Sequence, residues 1–287
     1  ACSRNSAPRS VPRRHGGAPG RMDLSRPAGH EPRAEASLDG AMPKPFLILQ
    51  LRPETAAADD EYAAFLEKGG LAPGDTRRIR LEAEPLPGDL DLSTYAGVIV
   101  GGGPGCVSDA PADKSPDEAR CEAACRAILP DIVARDVPFL GCCYGMGLLA
   151  DHLGADVSKA RYGEPVGAAP ARLTDAGRAD PLLDGMPEAF DVLVGHKEAA
   201  QSVPEGAALL VEGAACPVQM IRTGGHVYAT QFHPEADAAV FARRIEIYKH
   251  RGYFPPDEAQ ALTEAVAAAR VAAPPRILRN FVRRYRG

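Results

Sequence analysis

At 287 residues, with 45% hydrophobic and 25% charged side chains, the chain is long enough to bury a sizeable core. Its net charge of -5 argues against a nucleic-acid footprint spread over the whole chain, and no apolar run reaches the roughly 18 residues that would span a bilayer. Seven cysteines, an odd number with Cys142 and Cys143 adjacent and no paired C-x-x-C motifs, point to reduced thiols in a cytoplasmic setting rather than to a disulfide framework or a zinc site.

Residues 1–43 are dense in Arg, Pro, Ser, Gly and Ala and lack apolar periodicity, so they are read as a disordered extension. Asp23, Glu31, Glu35 and Asp39 spoil an acid-poor transit pattern. Because the chain does not begin with Met and folded sequence starts soon after Met42, the extension is ascribed to a start-site artefact ahead of targeting. From residue 44 the pattern predicts strand 46–51, helix 59–68, strand 77–82 and strand 97–100. The last of these runs into Gly101-Gly102-Gly103-Pro104-Gly105. Helix 116–134 carries Cys121 and Cys125 one turn apart, a spacing that suits packing better than redox pairing. Strand 138–141 and helix 145–153 follow. Such alternation specifies a parallel sheet covered by helices on both faces, with active residues at the carboxyl ends of its strands.

The turn between that last strand and helix is Gly141-Cys142-Cys143-Tyr144-Gly145. A nucleophile elbow needs small residues two before and two after the reactive one. Cys143 has Gly141 and Gly145 there; Cys142 would have Leu140 and Tyr144, so it reads as a buried filler. The helix that starts just after Cys143 points its positive end at the sulfur and predicts a thiolate. Segments 217–222 and 226–232 form a hairpin about Thr223-Gly224-Gly225 that delivers His233. On a continuing strand, His233 and Glu235 share a face, giving a base and its orienting carboxylate for the thiol. An oxyanion would be met by the N–H of Gly103, in the glycine loop, and the N–H of Tyr144. That loop fits neither phosphate-binding spacing, G-x-G-x-x-G or G-x-x-x-x-G-K-[ST].

Gly102-Gly103-Pro104-Gly105, Gly141-Cys142-Cys143-Tyr144-Gly145-Met146 and Gln231-Phe232-His233-Pro234-Glu235 stand in the order and spacing of the class I, triad-type glutamine amidotransferases. Over residues 45–253 the chain resembles this family, and within it the stand-alone members described as GMP synthase-like. The resemblance implies an α/β fold, a flavodoxin-like three-layer sandwich with a mostly parallel central sheet and an added β-hairpin region. It also implies a cofactor-free and metal-free cysteine amidase that converts glutamine to glutamate and ammonia through a γ-glutamyl thioester. In that scheme Cys143 is nucleophile, His233 base and then acid, and Glu235 orienter, with Gly102, Glu164 and His196 in the substrate pocket. One departure is Gly147, where the family usually has a glutamine that grips substrate.

After the hairpin, helices are predicted over 236–249 and 258–271, the second with Asp257 as N-cap. A last stripe of Ile277, Leu278, Phe281, Val282 and Tyr285 lies among arginines. The domain reading is therefore 1–43 extension, 44–252 amidotransferase domain and 253–287 helical appendage. No acceptor-activating domain or nucleotide loop is visible, so the expected partners are a glutamine or γ-glutamyl substrate and an ammonia-accepting synthetase in trans, with no nucleic acid and no membrane. Two alternatives stay open: a γ-glutamyl peptide hydrolase, motivated by Gly147, and a non-catalytic regulatory module of the same fold.

Overall fold

A computed structural model describes residues 43–287; the extension read over residues 1–43 lies outside them except for its last residue. In chain order the elements are β1 (Phe46–Gln50), α1 (Thr55–Gly69), β2 (Thr76–Arg80), β3 (Gly97–Val100), α2 (Pro116–Ala134), β4 (Phe139–Cys142), α3 (Tyr144–His152) and β5 (Val157–Ser158). There follow β6 (Glu164–Leu173), α4 (Asp175–Ala179), β7 (Ala189–His196), β8 (Ala199–Ala200), β9 (Ala208–Gly213), β10 (Met220–Thr223), β11 (Val227–Thr230), α5 (Ala238–Tyr248), α6 (Ala259–Ala268) and α7 (Pro275–Tyr285). Among the described residues, no helix is long and apolar enough to cross a membrane.

One sheet runs in the order β2-β1-β3-β4-β11-β10-β9-β6-β7. It is parallel from β2 through β11 and antiparallel beyond. Strand β1 shows why the sheet is the middle of three layers. Leu47 and Leu49 face one core with α2 and α3, while Phe46 and Ile48 face the other with Phe65 of α1 and Phe281 of α7. A strand buried on both faces reads as a continuous apolar run, which is what a parallel sheet between helices requires.

The antiparallel half is larger than a hairpin, because β6, β7 and β9 extend the sheet past β10. Strand β6 contains Pro165 and Pro170, which cannot donate to a ladder. Its pairing with β9 involves only Ala171, Arg172 and Leu173, so both prolines lie where β7 alone is paired. At the C-terminal end, Ile277, Leu278 and Phe281 are fully buried, and Phe281 packs on Phe46 with ring centroids 6.0 Å apart. Asp257 is not an N-cap: it lies in a short 3₁₀ turn (Pro256–Glu258) that leads into α6. Cys121 and Cys125 are buried free thiols.

The elbow is packed as its glycines predict. A Cβ on Gly141 would stand 2.7 Å from the carbonyl oxygen of Gly145 and 2.8 Å from its carbon, and one on Gly145 would stand 3.0 Å from the oxygen of Val100. Backbone on both sides cannot rotate away. Gly141→Ala is expected to cost about 2–3 kcal/mol, the upper range for overpacking, read as a lowered urea midpoint. An unchanged midpoint would show that the strand-to-helix passage is looser than this geometry.

Candidate active site

Cys143 occupies the single residue between β4 and α3, with φ 53° and ψ -94°. Positive φ is uncommon for a residue with a side chain, and such a conformation costs roughly 1–3 kcal/mol that the surroundings must offset. They do so by hydrogen bonding. The Cys143 N–H donates to Thr230 O at 2.7 Å, and its carbonyl accepts from Met146 and Gly147 at 3.0 and 3.1 Å. Cys142 is wholly buried, and burial holds its thiol well above the usual range, in keeping with a filler role.

Pairing of β11 beside β4 places Thr230 opposite Cys142, so the residues after Thr230 arrive next to the elbow. The strand stops there, and His233 and Glu235 do not continue it as the sequence reading supposed. Pro234 lies inside a turn closed by Ala236 N–H to His233 O at 3.2 Å. The turn still brings the two side chains together: His233 Nδ1 is 2.9 Å from Glu235 Oε1. A carboxylate only accepts, so Nδ1 carries the proton and Nε2 is left with a lone pair.

Arg244, from α5, is the third member of this group. Its Nη1 lies 2.9 Å from Glu235 Oε1 and 3.2 Å from His233 Nδ1. Because Nδ1 is already a donor, the second approach is a close contact and the first is the hydrogen bond. Burial works to raise the Glu235 carboxyl, but the imidazole and the guanidinium prevail and hold it well below the ordinary carboxylate range. Burial lowers His233 below 6.5, with Arg244 and Arg52 acting in the same direction and Glu235 against. Burial likewise pushes the Cys143 thiol up to about 12, although Arg52 pulls it down. Thiol and imidazole therefore rest uncharged at neutral pH. The thiolate expected from the helix end is opposed by desolvation, the largest influence on this thiol and larger than the pull of Arg52.

The glycine loop lies across the same place. A Cβ on Gly102 would be 2.7 Å from His233 Cε1 and 3.6 Å from Cys143 Cβ, so both side chains converge over this residue. The Gly102 N–H donates to buried Glu61 at 3.2 Å, which leaves Gly103 as the next donor along the loop. Tyr144 begins α3, and an N–H in the first turn has no intrahelical acceptor. Its hydroxyl donates to Glu122 Oε2 at 2.8 Å and fixes the ring against Gly103.

Glu164 and His196 lie beside this centre rather than in it. They are cross-strand partners on β6 and β7, joined by His196 Nε2 to Glu164 Oε2 at 2.9 Å. Gln219 donates to the same oxygen at 2.7 Å, and His196 Nδ1 donates to Glu198 O at 2.8 Å. Donor atoms of Glu164, His196 and Cys216 lie within 4.8 Å of one another, and hydrogen bonds already link Glu164 and His196. His196 still lines the cavity above Cys143; Glu164 lines only the neighbouring one.

Four residues have roles that the sequence reading did not assign. Arg52, at the carboxyl end of β1, donates to Glu61 at 2.8 Å and to the Tyr248 hydroxyl at 3.2 Å. Its position was the available signal, since strand ends in a parallel sheet gather function. Glu61 ties Gln50, Arg52 and Gly102 together. Glu198 accepts from the N–H groups of Val107 and Ser108 at 2.6 and 2.9 Å and stands 3.3 Å from where a Cβ on Gly147 would be. A carboxylate thus stands beside Gly147 and braces the loop after Gly105. Arg244 gave no signal, sitting on a helix whose basic residues look like a solvated face.

The family model for glutamine amidotransferase class-I matches residues 76–246. The GMP synthase [glutamine-hydrolyzing] of Thermosipho africanus is 32% identical over 178 residues, 59% of this chain and 31% of that protein. The enzyme of the same description from Neisseria gonorrhoeae is 32% identical over 142 residues, 48% of this chain and 24% of that protein. The matched segment thus spans less than a third of the length of these relatives. Among solved structures, a glutamine amidotransferase from Thermotoga maritima superposes with a TM-score of 0.65 at 19% identity, covering 84% of this chain and 98% of that one. One from Methylobacillus flagellatus gives 0.65 at 22% identity, covering 85% and 94%. At these identities the structures share the fold.

Proposed function

The chain belongs to the class I glutamine amidotransferases, and from that premise we propose that it is a cysteine-dependent amidase that hydrolyses the γ-amide of glutamine or of a γ-glutamyl compound. The observation that carries this reading is the convergence of Cys143, the His233–Glu235 pair and the glycine loop at one strained turn. A regulatory module of the same fold has no need to hold Cys143 at a costly φ or to bury an imidazole and a carboxylate together.

In the proposed reaction the γ-carbonyl lies in the cavity of about 400 Å³ lined by Gly103, Tyr144, Gly147 and His196. His233 Nε2 takes the proton from Cys143 Sγ as sulfur attacks carbon, so neither group need be ionised beforehand. Negative charge gathers on the carbonyl oxygen, met by the N–H groups of Gly103 and Tyr144. Collapse breaks the C–N bond, and His233 returns its proton to the leaving amine. Water then attacks the thioester with His233 as base, releasing glutamate and restoring the thiol. Glu235 holds Nδ1–H throughout and stabilises the imidazolium that forms transiently. The GMP synthase relatives motivate a further element, delivery of ammonia to a separate synthetase.

The test is release of ammonia and glutamate from L-glutamine by the purified chain, alone and with candidate synthetases. Thiol-dependent turnover is the expected result; no turnover of any γ-glutamyl amide would remove the reading. Its pH dependence is also specified. His233 must be neutral to act as base and burial lowers its pKa, so kcat/KM should rise with pH through a midpoint below 6.5 and stay level to about pH 9. A rate that falls as pH rises through that midpoint would require an imidazolium and would exclude the neutral pair.

A further inference from the structure

The elbow stands between two cavities. The first holds the carbonyl-binding groups described above. The second, about 460 Å³, shares Cys143 and Gly103 with the first but is the one that His233 lines. In an acyl transfer the group that protonates the leaving amine faces the space into which that amine departs. The second cavity is therefore the leaving-group side. Ammonia, about the size of a water molecule, has no use for the apolar side chains that line it.

The walls of this space are of two kinds. Val166 of β6, Phe241 and Ile245 of α5 and Phe254 make an apolar side, and Phe241 packs on His233 with ring centroids 5.8 Å apart. Arg52 and Arg244 make the other side, with the Tyr248 hydroxyl bonded to Arg52. Each guanidinium already faces one carboxylate, Glu61 for Arg52 and Glu235 for Arg244, so the wall is not a bare positive charge. A guanidinium offers five N–H groups, however, and Nε and Nη2 of Arg244, a residue 5% exposed, have no partner among the described residues. Those two groups are closed to solvent; what the two arginines lining the cavity offer a ligand is their positive charge and planar N–H forks.

We propose that the physiological substrate is an N-substituted γ-glutamyl amide whose amine portion is an apolar amino acid. Its side chain lies on the Val166, Phe241, Ile245 and Phe254 wall and its carboxylate faces the two guanidiniums. This rests on the amidase reading above and names the amine within it. Water supplies hydroxyl to the γ-carbonyl carbon, the C–N bond breaks, and the amino acid leaves with the proton from His233, so products are glutamate and a free amino acid.

The experiment compares kcat/KM of the full chain for L-glutamine, γ-L-glutamyl-L-phenylalanine and the same dipeptide with its carboxylate amidated. The dipeptide acid is expected to exceed glutamine at least tenfold and the amidated form severalfold. Val166→Trp, which fills the cavity, should lower dipeptide turnover at least tenfold and leave glutamine turnover within twofold; Phe254→Ala, on the half-buried rim, serves if that variant does not fold. Glutamine turned over as well as both dipeptides, and indifferent to either variant, overturns the inference while leaving the amidase reading intact. Should no substrate be hydrolysed, the amidase reading fails, and calorimetry on Cys143→Ala still decides the pocket. Dipeptide binding tenfold tighter than glutamine supports the assignment of the second cavity to the amine portion; equal binding overturns it.

Discussion

Cys143→Ala is expected to reduce γ-glutamyl amide hydrolysis to background, a loss of roughly 10⁴-fold or more, whereas Cys142→Ala should retain turnover within a fewfold. The two thiols are neighbours in sequence and opposites in environment. Cys142 ends β4, an interior strand of the sheet, and is wholly buried with its side chain in the core shared by Phe46, Ile48 and Leu140. Cys143 is only half buried and lines both cavities. Removing the first leaves a small void, costing on the order of 1 kcal/mol; removing the second deletes the atom that must bond to carbon. A glutamine-like chloroketone should alkylate Cys143 first, visible by mass spectrometry of the digested chain. Equal loss of activity in both variants, with both folded, would mean that the elbow has been assigned to the wrong sulfur.

That distinction was legible before any coordinates, because it depends on local sterics: Gly141 and Gly145 flank only Cys143 at the spacing an elbow demands. The parallel half of the sheet was equally legible, since buried strands such as 97–100 are continuous apolar runs ending in glycine. The antiparallel half was not. Strand β6 reads EPVGAAPARL, with two prolines and a glycine, and local propensity argues against a strand. Pairing with β7 along nearly its whole length overrides that preference. Glu164 and His196 were therefore visible as two loop candidates but not as cross-strand partners. The thiolate expectation missed for a related reason. A helix end can be seen in sequence, but burial, the largest effect on Cys143, comes only with the packed chain, where Arg52, Tyr248 and Tyr253 line a cavity with it. Arg244 lies nine residues beyond Glu235 on a helix that presents its neighbour Arg243 to solvent, and nothing local marks it as the buried one.

Arg244 gives Glu235→Gln a double consequence. The carboxylate now accepts from both His233 Nδ1–H and Arg244 Nη1–H through Oε1, which fixes the tautomer with the Nε2 lone pair available to the thiol. Glutamine is nearly isosteric but carries one acceptor oxygen and one donor NH₂. If its oxygen stays with Arg244, the bond to the guanidinium survives as a neutral acceptor. If its NH₂ turns toward His233, Nδ1 must become the acceptor, the proton moves to Nε2 and the base is lost. Turnover is expected to fall on the order of 10³–10⁴-fold, the scale seen when an orienting carboxylate is replaced in a hydrolytic triad. Stability should fall as well, by about 3 kcal/mol, since a buried guanidinium has lost its counter-charge. The sign of the pH effect separates the two losses. In the parent protein the lowered pKa of Glu235 contributes stability above the unfolded carboxylate range and loses it as pH falls. The Gln variant lacks that titration, so the stability gap between the two proteins should be widest near neutral pH and close on acidification. A Glu235→Gln protein that keeps full turnover would show that His233 is oriented by something other than this carboxylate. A gap that stays constant down to acid pH would show that Arg244 and Glu235 do not share their charges in the folded chain.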